Sequence, residues 1–286
     1  MPISLAPMRV ADSLGTNDDL PAYAPMLSAY HRAHAAELRA MIADLPLRPG
    51  DRVLDMPCGD GAYTALLAER VGDTGSVVGV DLSAAYLDMA RAQAEATAYA
   101  ARVRFQVGDS ASLPFDDNRF DLIWCAQSLI SLPDPIGALR ELQRVMRPGG
   151  TLAVFENDTL HQLVVPWPPE LELAVRQAQL RALAARTPAT AKYFVGRDLC
   201  GIFAEAGLQR CRVTPYTSIR HAPLSDDERV YLSWYFDDLS ARARPYLPPD
   251  SGAWFDRLLN PASQDYLLNQ EYFYVIYIGM LARGIK

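Results

Sequence analysis

The sequence predicts an α/β protein built around a doubly wound, mostly parallel β-sheet. Short apolar runs at residues 53–56, 77–80 and 122–125 alternate with longer segments that have helical spacing and composition. A glycine turn, Gly59-Asp60-Gly61, follows the first run and leads into a helix that starts near Ala62. Such alternation is typical of βαβ units, in which the carboxyl ends of neighbouring strands meet at one edge of the sheet.

The composition is that of a water-soluble globular chain, since 50% of its 286 residues are hydrophobic and 21% are charged. The net charge of −7 argues against nucleic acid as a partner, because phosphate binding requires clustered Lys and Arg. The N-terminal residues lack the pattern of a signal peptide, and no stretch approaches the roughly 20 apolar residues that span a bilayer. We therefore expect a cytoplasmic protein that is not inserted in a membrane.

Metal and disulfide chemistry are not indicated. The cysteines show no C-x-x-C spacing and are far apart in the chain: Cys58, Cys125, Cys200 and Cys211. We expect all four to be reduced core residues. The many Asp and Glu residues likewise show no spacing that picks out metal ligands.

The glycine turn is suited to binding a nucleotide-like ligand. Gly59 and Gly61 carry no side chain that would keep a ligand from the backbone, and the following helix N-terminus favours a polar or anionic group. A dinucleotide fingerprint would place Gly or Ala where this chain has Thr64. This difference counts against an NAD(P)-dependent oxidoreductase, which stays open as an alternative.

The stretch Leu54-Asp55-Met56-Pro57-Cys58-Gly59-Asp60-Gly61 resembles the first motif of class I S-adenosylmethionine-dependent methyltransferases, in which an acidic residue between hydrophobic ones precedes G-x-G-x-G. Pro57 stands where the family has its first Gly, so the turn lacks one N–H donor. Further matches follow in order at residues 79–83, 113–121 and 142–152. The resemblance is continuous over residues 47–156 and points to the small-molecule branch that includes ubiquinone and menaquinone methyltransferases.

The resemblance implies S-adenosylmethionine as the cofactor and assigns residues to it. Asp81 would accept the ribose hydroxyls, because Ser83 is the better N-cap for the next helix and leaves Asp81 available. Asp109 would bind the exocyclic amine of adenine, and Ser110 a ring nitrogen. The whole predicted cofactor set is Asp55, Pro57, Gly59, Gly61, Asp81, Leu82, Asp109, Ser110, Gln127 and Tyr30.

The predicted sheet is Rossmann-like with seven strands, the last of which is antiparallel to the fifth. A helical segment at 1–46, with one helix over residues 23–43, precedes the cofactor-binding core at 47–156. A lid insertion at 157–195, a return to the core at 196–224, a helical lid insertion at 225–269 and a final strand within 270–286 follow. Both insertions leave from carboxyl ends of strands, so we expect them to pack together over the cofactor.

Aromatic residues in the second insertion predict a mainly apolar pocket for a small organic substrate, lined by Tyr231, Trp234, Tyr235 and Gln127. In-line methyl transfer requires alignment, and it requires a base only when the nucleophile must lose a proton. His161, just past the fifth strand, is the candidate catalytic base, ahead of His221. The acceptor atom stays open, as do a homodimer and a protein that binds the cofactor without transferring a methyl group.

Overall fold

The computed structural model describes residues 19–186 and 190–286. Residues 1–18 of the predicted N-terminal segment and residues 187–189 of the first predicted insertion therefore lie outside the described part. The strands are β1 Arg52–Asp55, β2 Ser76–Asp81, β3 Val103–Val107, β4 Phe120–Ala126, β5 Met146–Glu156, β6 Leu163–Val164, β7 Gln209–His221 and β8 Tyr274–Ile285. The α-helices are α1 Ala24–Ala33, α2 Ala35–Ala43, α3 Ala62–Val71, α4 Ala84–Glu95, α5 Pro135–Val145, α6 Pro169–Arg186, α7 Leu199–Glu205, α8 Asp226–Ala243 and α9 Pro249–Leu259.

The strands form one sheet in the order β3-β2-β1-β4-β5-β8-β6, and β7 pairs with β8. Strands β1 to β5 are parallel, and β8 runs antiparallel to β5, as predicted, with Phe155 opposite Leu281. The described sheet has eight strands rather than seven, because the short β6 of the first insertion adds a pairing to β8. Since β7 is also antiparallel to β8, its carboxyl end lies at the same edge as that of β5.

Apolar side chains cover both faces of the sheet. Val53 and Trp124 belong to one buried cluster, whereas their neighbours Leu54 and Ile123 belong to a second cluster on the other face. Successive residues of a strand point to opposite faces, so each central strand contributes to both clusters. This double burial explains why the strands are continuous apolar runs in the sequence.

The N-terminal segment is two helices rather than the single predicted one. The break is at His34, whose φ of −108° and ψ of 15° are not helical. Its imidazole Nδ1 bonds the carbonyl oxygen of Tyr30 at 3.0 Å, and Arg220 of β7 donates to the carbonyl oxygen of Ala33 at 2.7 Å. Side chains that take helix carbonyls in this way interrupt the backbone ladder and bend the helix.

The helical parts of the two insertions contact each other. Helix α8 begins at a capping box in which Ser225 and Glu228 exchange hydrogen bonds, and it packs against α1, α6 and α9. In the described ranges, none of the helices combines the length and apolar character needed to cross a membrane. The cysteines are free thiols, but Cys200 is exposed, which corrects the prediction that all four lie in the core.

Candidate cofactor and substrate site

Acidic residues end three neighbouring strands at the carboxyl edge of the sheet. Asp55 is the last residue of β1 and Asp81 the last residue of β2, while Asp109 follows β3 by two positions. Because these strands are adjacent and parallel, the three residues lie along the same edge. Asp55, Asp81 and Asp109 therefore follow one another along this edge in the same order as in the chain.

Asp81 connects the glycine turn to β2. Its Oδ2 accepts the backbone N–H of Gly59 at 2.9 Å, and its Oδ1 accepts the N–H of Ser83 at 2.9 Å. The Ser83 side chain caps α4 by accepting the N–H of Tyr86, as predicted. Burial raises the pKa of Asp81, partly offset by these backbone donors. Each carboxylate oxygen keeps a further lone pair that can accept a ligand hydroxyl.

Asp55 is completely buried, and one of its oxygens has no partner among the described residues. Its Oδ2 accepts the hydroxyl of Thr64 at 2.5 Å, whereas Oδ1 is the unpaired atom. Burial raises the pKa of Asp55 to about 8. Buried polar atoms are nearly always hydrogen-bonded, so Oδ1 marks a place where a polar ligand group fits.

The two glycines of the turn have different roles. A Cβ at Gly59, where φ is +50°, would meet only Leu27 at 3.8 Å, so this position is open to a ligand. A Cβ at Gly61, where φ is +82°, would lie 2.9 Å from the Cβ of Ala90. The absence of a side chain at Gly61 lets α3 pack closely on α4, and its role in binding the cofactor stays a prediction.

The remaining predicted cofactor residues in this region have exposed or backbone-anchored positions. Pro57 supplies no N–H, and the turn is held instead by the N–H of Cys58, which donates to the carbonyl oxygen of Val80 at 2.8 Å. Leu82 is 37% exposed, Ser110 is buried, and the exposed Asp109 accepts the N–H of Ala111 at 2.9 Å.

A cluster of tyrosines, which we call the tyrosine cluster, fills the space beyond the ends of β4 and β5. The Tyr30 ring centre is 5.3 Å from that of Tyr231, 5.6 Å from that of Tyr277 and 4.4 Å from that of His34. Burial raises the pKa of all three tyrosines, so their hydroxyls stay protonated and can donate hydrogen bonds. The cluster joins α1, α8 and β8, which the sequence alone did not bring together.

Gln127 contacts this cluster directly. It follows β4 with a φ of +50°, and its Nε2 donates to the hydroxyl of Tyr277 at 2.8 Å. Of the predicted substrate residues on α8, Tyr231 is buried in the tyrosine cluster, while Trp234 and Tyr235 are half-buried. Tyr30 of α1, predicted to touch the cofactor, packs against Tyr231 and Tyr277 in the tyrosine cluster.

His161 does not lie in an enclosed chamber. Its side chain is 58% exposed, and its Nδ1 is 3.2 Å from both Asp158 and the guanidinium of Arg197. His161 therefore lies at the surface, and its role as the catalytic base stays a prediction. The side chain of Asp158 is only 4% exposed, and its pairing with His161 joins the surface histidine to this buried residue of the segment after β5.

Two further acidic residues are buried near the carboxyl edge of the sheet, Glu156 at the end of β5 and Asp60 in the glycine turn. Glu156 is fully buried, and its Oε1 accepts the N–H groups of Ser128 and Leu129 at 2.7 Å each. Burial raises its pKa to about 7. Asp60 of the glycine turn pairs with His31 of α1 at 3.2 Å. In the sequence, the charge of Asp60 inside the glycine turn is the local feature that could have indicated its pairing with His31.

Helix α1 lies over the glycine turn, where Ser28 and His31 contact Asp60. Surface cavities of about 310 Å³ and 370 Å³ occur, but neither is lined by Asp55, Asp81 or Asp109. Arg32 of α1 pairs with Asp227 of α8 at 2.7 Å, which holds the helix in this position.

Part of the chain is similar to known methyltransferases. Residues 53–150 match the family model described as a methyltransferase domain. The demethylmenaquinone methyltransferase of Staphylococcus aureus (strain JH9) is 37% identical over 124 residues, which are 43% of this chain and 50% of that relative. The chain thus matches these curated relatives over about half of their length.

Solved structures show the same fold. The YcgJ protein of Bacillus subtilis has a TM-score of 0.56 at 23% identity, over 88% of this chain and 99% of that one. A geranyl diphosphate methyltransferase in complex with GPP and sinefungin has a TM-score of 0.51 at 19% identity, over 91% and 80% of the two chains. The sheet therefore has the Rossmann-like methyltransferase fold. The matched residues 53–150 contain Asp55, Asp81 and Asp109.

Proposed function

We propose that this protein transfers a methyl group from S-adenosylmethionine to a small organic acceptor held beneath its helical insertions. The observation that most supports this proposal is the hydrogen bond of 2.9 Å from the Gly59 N–H to Asp81, inside the matched domain. It aligns the glycine turn with the carboxylate that would accept the ribose hydroxyls. Asp109, Ser110 and Leu82 would hold the adenine, and the unpaired Oδ1 of Asp55 would accept from a polar group near the turn.

The cofactor supplies a methyl group that is already activated on a sulfonium, so the residues of this chain have to align and desolvate the acceptor. The tyrosine cluster provides buried aromatic walls and protonated hydroxyls, and Gln127 adds an amide that is fixed by Tyr277. Aromatic faces beside hydrogen-bond donors favour a flat acceptor that carries oxygen. This choice is compatible with a relative named as a demethylmenaquinone methyltransferase.

A small-molecule acceptor and a cytoplasmic location are part of the same proposal. The net charge of −7 favours an acceptor other than nucleic acid. The contact of α8 with α1 and α6 supports a lid that excludes water from the reacting groups.

Isothermal titration calorimetry with S-adenosylhomocysteine and with NADH tests the cofactor. We expect S-adenosylhomocysteine to bind with a micromolar dissociation constant and NADH to give no heat. Asp81→Asn should weaken S-adenosylhomocysteine about 10-fold or more, because a charge-assisted hydrogen bond is lost. Asp88→Asn, at an exposed position of α4, is the matched control. Binding of NADH, or wild-type affinity in Asp81→Asn, would contradict the proposal.

Methyl transfer itself is tested by mass spectrometry. Wild-type protein is incubated with S-adenosylmethionine and a panel of quinols and phenols, and each acceptor is examined for the gain of one methyl group. We expect a methylated product from at least one quinol, together with S-adenosylhomocysteine. Cofactor binding without any methylated product in the panel would argue against the quinol or phenol class.

A further inference from the structure

Gln127, the first residue after β4, has a backbone conformation that residues other than glycine rarely adopt. Its φ of +50° lies in the left-handed region. A non-glycine residue held there costs free energy, and it keeps this conformation only where the surrounding contacts determine it. Such residues are concentrated at functional sites. The contacts that hold Gln127 therefore indicate what the turn after β4 is for.

The end of β5 fixes three successive backbone N–H groups of this turn. The N–H of Gln127 donates to the carbonyl oxygen of Phe155 at 2.7 Å. The next two N–H groups, those of Ser128 and Leu129, both donate to Oε1 of Glu156 at 2.7 Å. Glu156 is 0% exposed, so without its carboxyl group these two buried N–H groups would lose their acceptor. The conformation of the turn thus depends on one side chain of β5.

Glu156 acts from the face of the sheet opposite to the tyrosine cluster. Phe155 belongs to the same buried cluster as Tyr30 and Tyr277, whereas Val154 belongs to the cluster on the other face. Because successive residues of a strand alternate between the faces, Glu156 points to the face of Val154. It therefore does not contact an acceptor held among the tyrosines. Its influence on such an acceptor passes through the backbone of the turn.

The Gln127 side chain carries that influence across the edge of the sheet. Its Nε2 donates to the hydroxyl of Tyr277 at 2.8 Å, and Nδ2 of Asn157 lies 3.4 Å from the same oxygen. The sign of φ sets the direction in which the Cα–Cβ bond leaves the backbone, so a relaxed turn would direct the amide away from Tyr277. The Gln127 amide is thus held at the tyrosine cluster by Glu156 behind the turn and by Tyr277 in front of it.

We propose that Glu156 is a positioning residue for the acceptor site, which holds Gln127 in its left-handed conformation so that the Gln127 amide binds an oxygen of the methyl acceptor. This inference rests on the proposed function, because it concerns the acceptor of that reaction. A side-chain amide has two N–H donors, and Tyr277 takes one of them, so the other can donate to the acceptor. Glu156 then contributes to the orientation of the acceptor rather than to proton transfer.

The position of the Gln127 amide can be followed by NMR without any ligand. Side-chain amide signals of the whole, isotope-labelled chain are recorded, and the Gln127 pair is identified by its loss in Gln127→Ala. We expect Glu156→Ala to shift or broaden this pair. Glu156→Gln keeps a side-chain carbonyl oxygen for the two N–H groups and should leave the pair near its wild-type position. Glu141→Ala is the matched control, because Oε1 of Glu141 also accepts a backbone N–H, that of Leu113 at 2.7 Å.

A double-variant cycle measures the same link in the reaction. Glu156→Ala and Gln127→Ala should each lower kcat/KM for a quinol that wild type methylates by about 10-fold, because each removes the oriented amide. The double variant should also lose about 10-fold rather than about 100-fold, since both changes act through one contact. If Glu156→Ala does not fold, Glu156→Asp, which keeps the charge on a shorter side chain, takes its place in both experiments.

The outcomes are distinct. Gln127 signals that are unchanged in Glu156→Ala would overturn the assignment, as would losses of kcat/KM that multiply in the double variant. An equal displacement of the signals in Glu141→Ala would also overturn it, because the effect would then be a general loss of packing. A wild type that binds no S-adenosylhomocysteine would instead refute the proposed function, whereas the NMR comparison would still decide whether Glu156 positions Gln127.

Discussion

The hydroxyl of Thr64 donates a hydrogen bond of 2.5 Å to the buried carboxyl group of Asp55, which joins the first turn of α3 to the end of β1. A dinucleotide-binding turn has a small residue at the position of Thr64, so that helix and strand pack closely. In this chain the helix and strand meet through a polar pair that is 1% and 0% exposed. The residue that counted against a dinucleotide cofactor therefore has a structural role of its own.

Removing this hydroxyl should lower stability. Thr64→Val keeps the shape of the side chain but removes the hydroxyl that donates to the buried carboxyl group of Asp55. We expect the free energy of unfolding to fall by about 1–3 kcal/mol, measured by urea denaturation at neutral pH. Thr97→Val is a matched control, since the Thr97 hydroxyl bonds a helix-end carbonyl at a half-buried site and should contribute less. A loss equal to that of the control would show that the Asp55 pair contributes no more than an ordinary hydrogen bond.

Asp55 should make the stability depend on pH. Burial raises its pKa to about 8, whereas an aspartate in the unfolded chain titrates near ~3.9. Between these two values the folded state keeps a proton that the unfolded state releases, so stability falls as the pH rises. Asp55→Asn removes this effect. Its stability relative to wild type should therefore increase with pH, by up to about 1.4 kcal/mol per unit, until the pH reaches the folded pKa.

Denaturation curves of wild type and Asp55→Asn, recorded at several pH values between weakly acidic and weakly basic, provide the measurement. Glu156→Gln is a second variant to compare, because burial raises the pKa of Glu156 to about 7. The stability of Glu156→Gln relative to wild type should therefore stop increasing at a lower pH than that of Asp55→Asn. A difference between Asp55→Asn and wild type that does not change with pH would mean that the folded carboxyl group titrates normally.

The two glycines of the turn should respond differently to alanine. Gly61→Ala places a Cβ 2.9 Å from Ala90 at a φ of +82°, so we expect a loss of about 2–4 kcal/mol in the free energy of unfolding. Gly59→Ala is strained by its φ of +50° but enters open space, which limits the loss to about 1 kcal/mol. Its larger effect should be on affinity for S-adenosylhomocysteine. Similar stability losses in the two variants, measured by denaturation, would contradict this division.

The central part of the fold could be predicted because its signals are local. Apolar runs, the glycine turn and the acidic strand ends lie within short stretches of sequence, and the structure confirms the parallel strands and the antiparallel last strand. The Ser83 cap is equally local. Each of these features depends on backbone preferences and burial that neighbouring residues determine together.

The features that the sequence did not predict depend on contacts between distant segments. Helix α1 breaks at His34 partly because Arg220, 187 residues from Ala33, takes a helix carbonyl. The pairing of His31 with Asp60 follows from the docking of α1 on the turn. Arg197 likewise joins Asp158 and His161, which are 39 and 36 residues away in the chain. Tertiary packing decides all three cases.

His34 should cause a loss of stability at mildly acidic pH. Burial, followed by the positive charge of Arg220, lowers the pKa of His34 to about 4, while Glu37 and Glu228 oppose that shift. In the unfolded chain a histidine titrates near ~6.5. Between these values the unfolded state binds a proton that the folded state does not, so stability falls as the pH decreases from the unfolded pKa towards the folded one.

His34→Gln removes the titrating group and should flatten this part of the stability profile. The variant loses ring packing against Tyr30 and is therefore less stable at neutral pH, but its disadvantage should shrink as the pH falls, by up to about 1.4 kcal/mol per unit. Denaturation at a series of mildly acidic pH values gives the difference directly. His221→Gln, exposed on β7, should run parallel to wild type. If His34→Gln also runs parallel, then the imidazole takes up its proton in the folded protein, and the tyrosine cluster must hold an imidazolium.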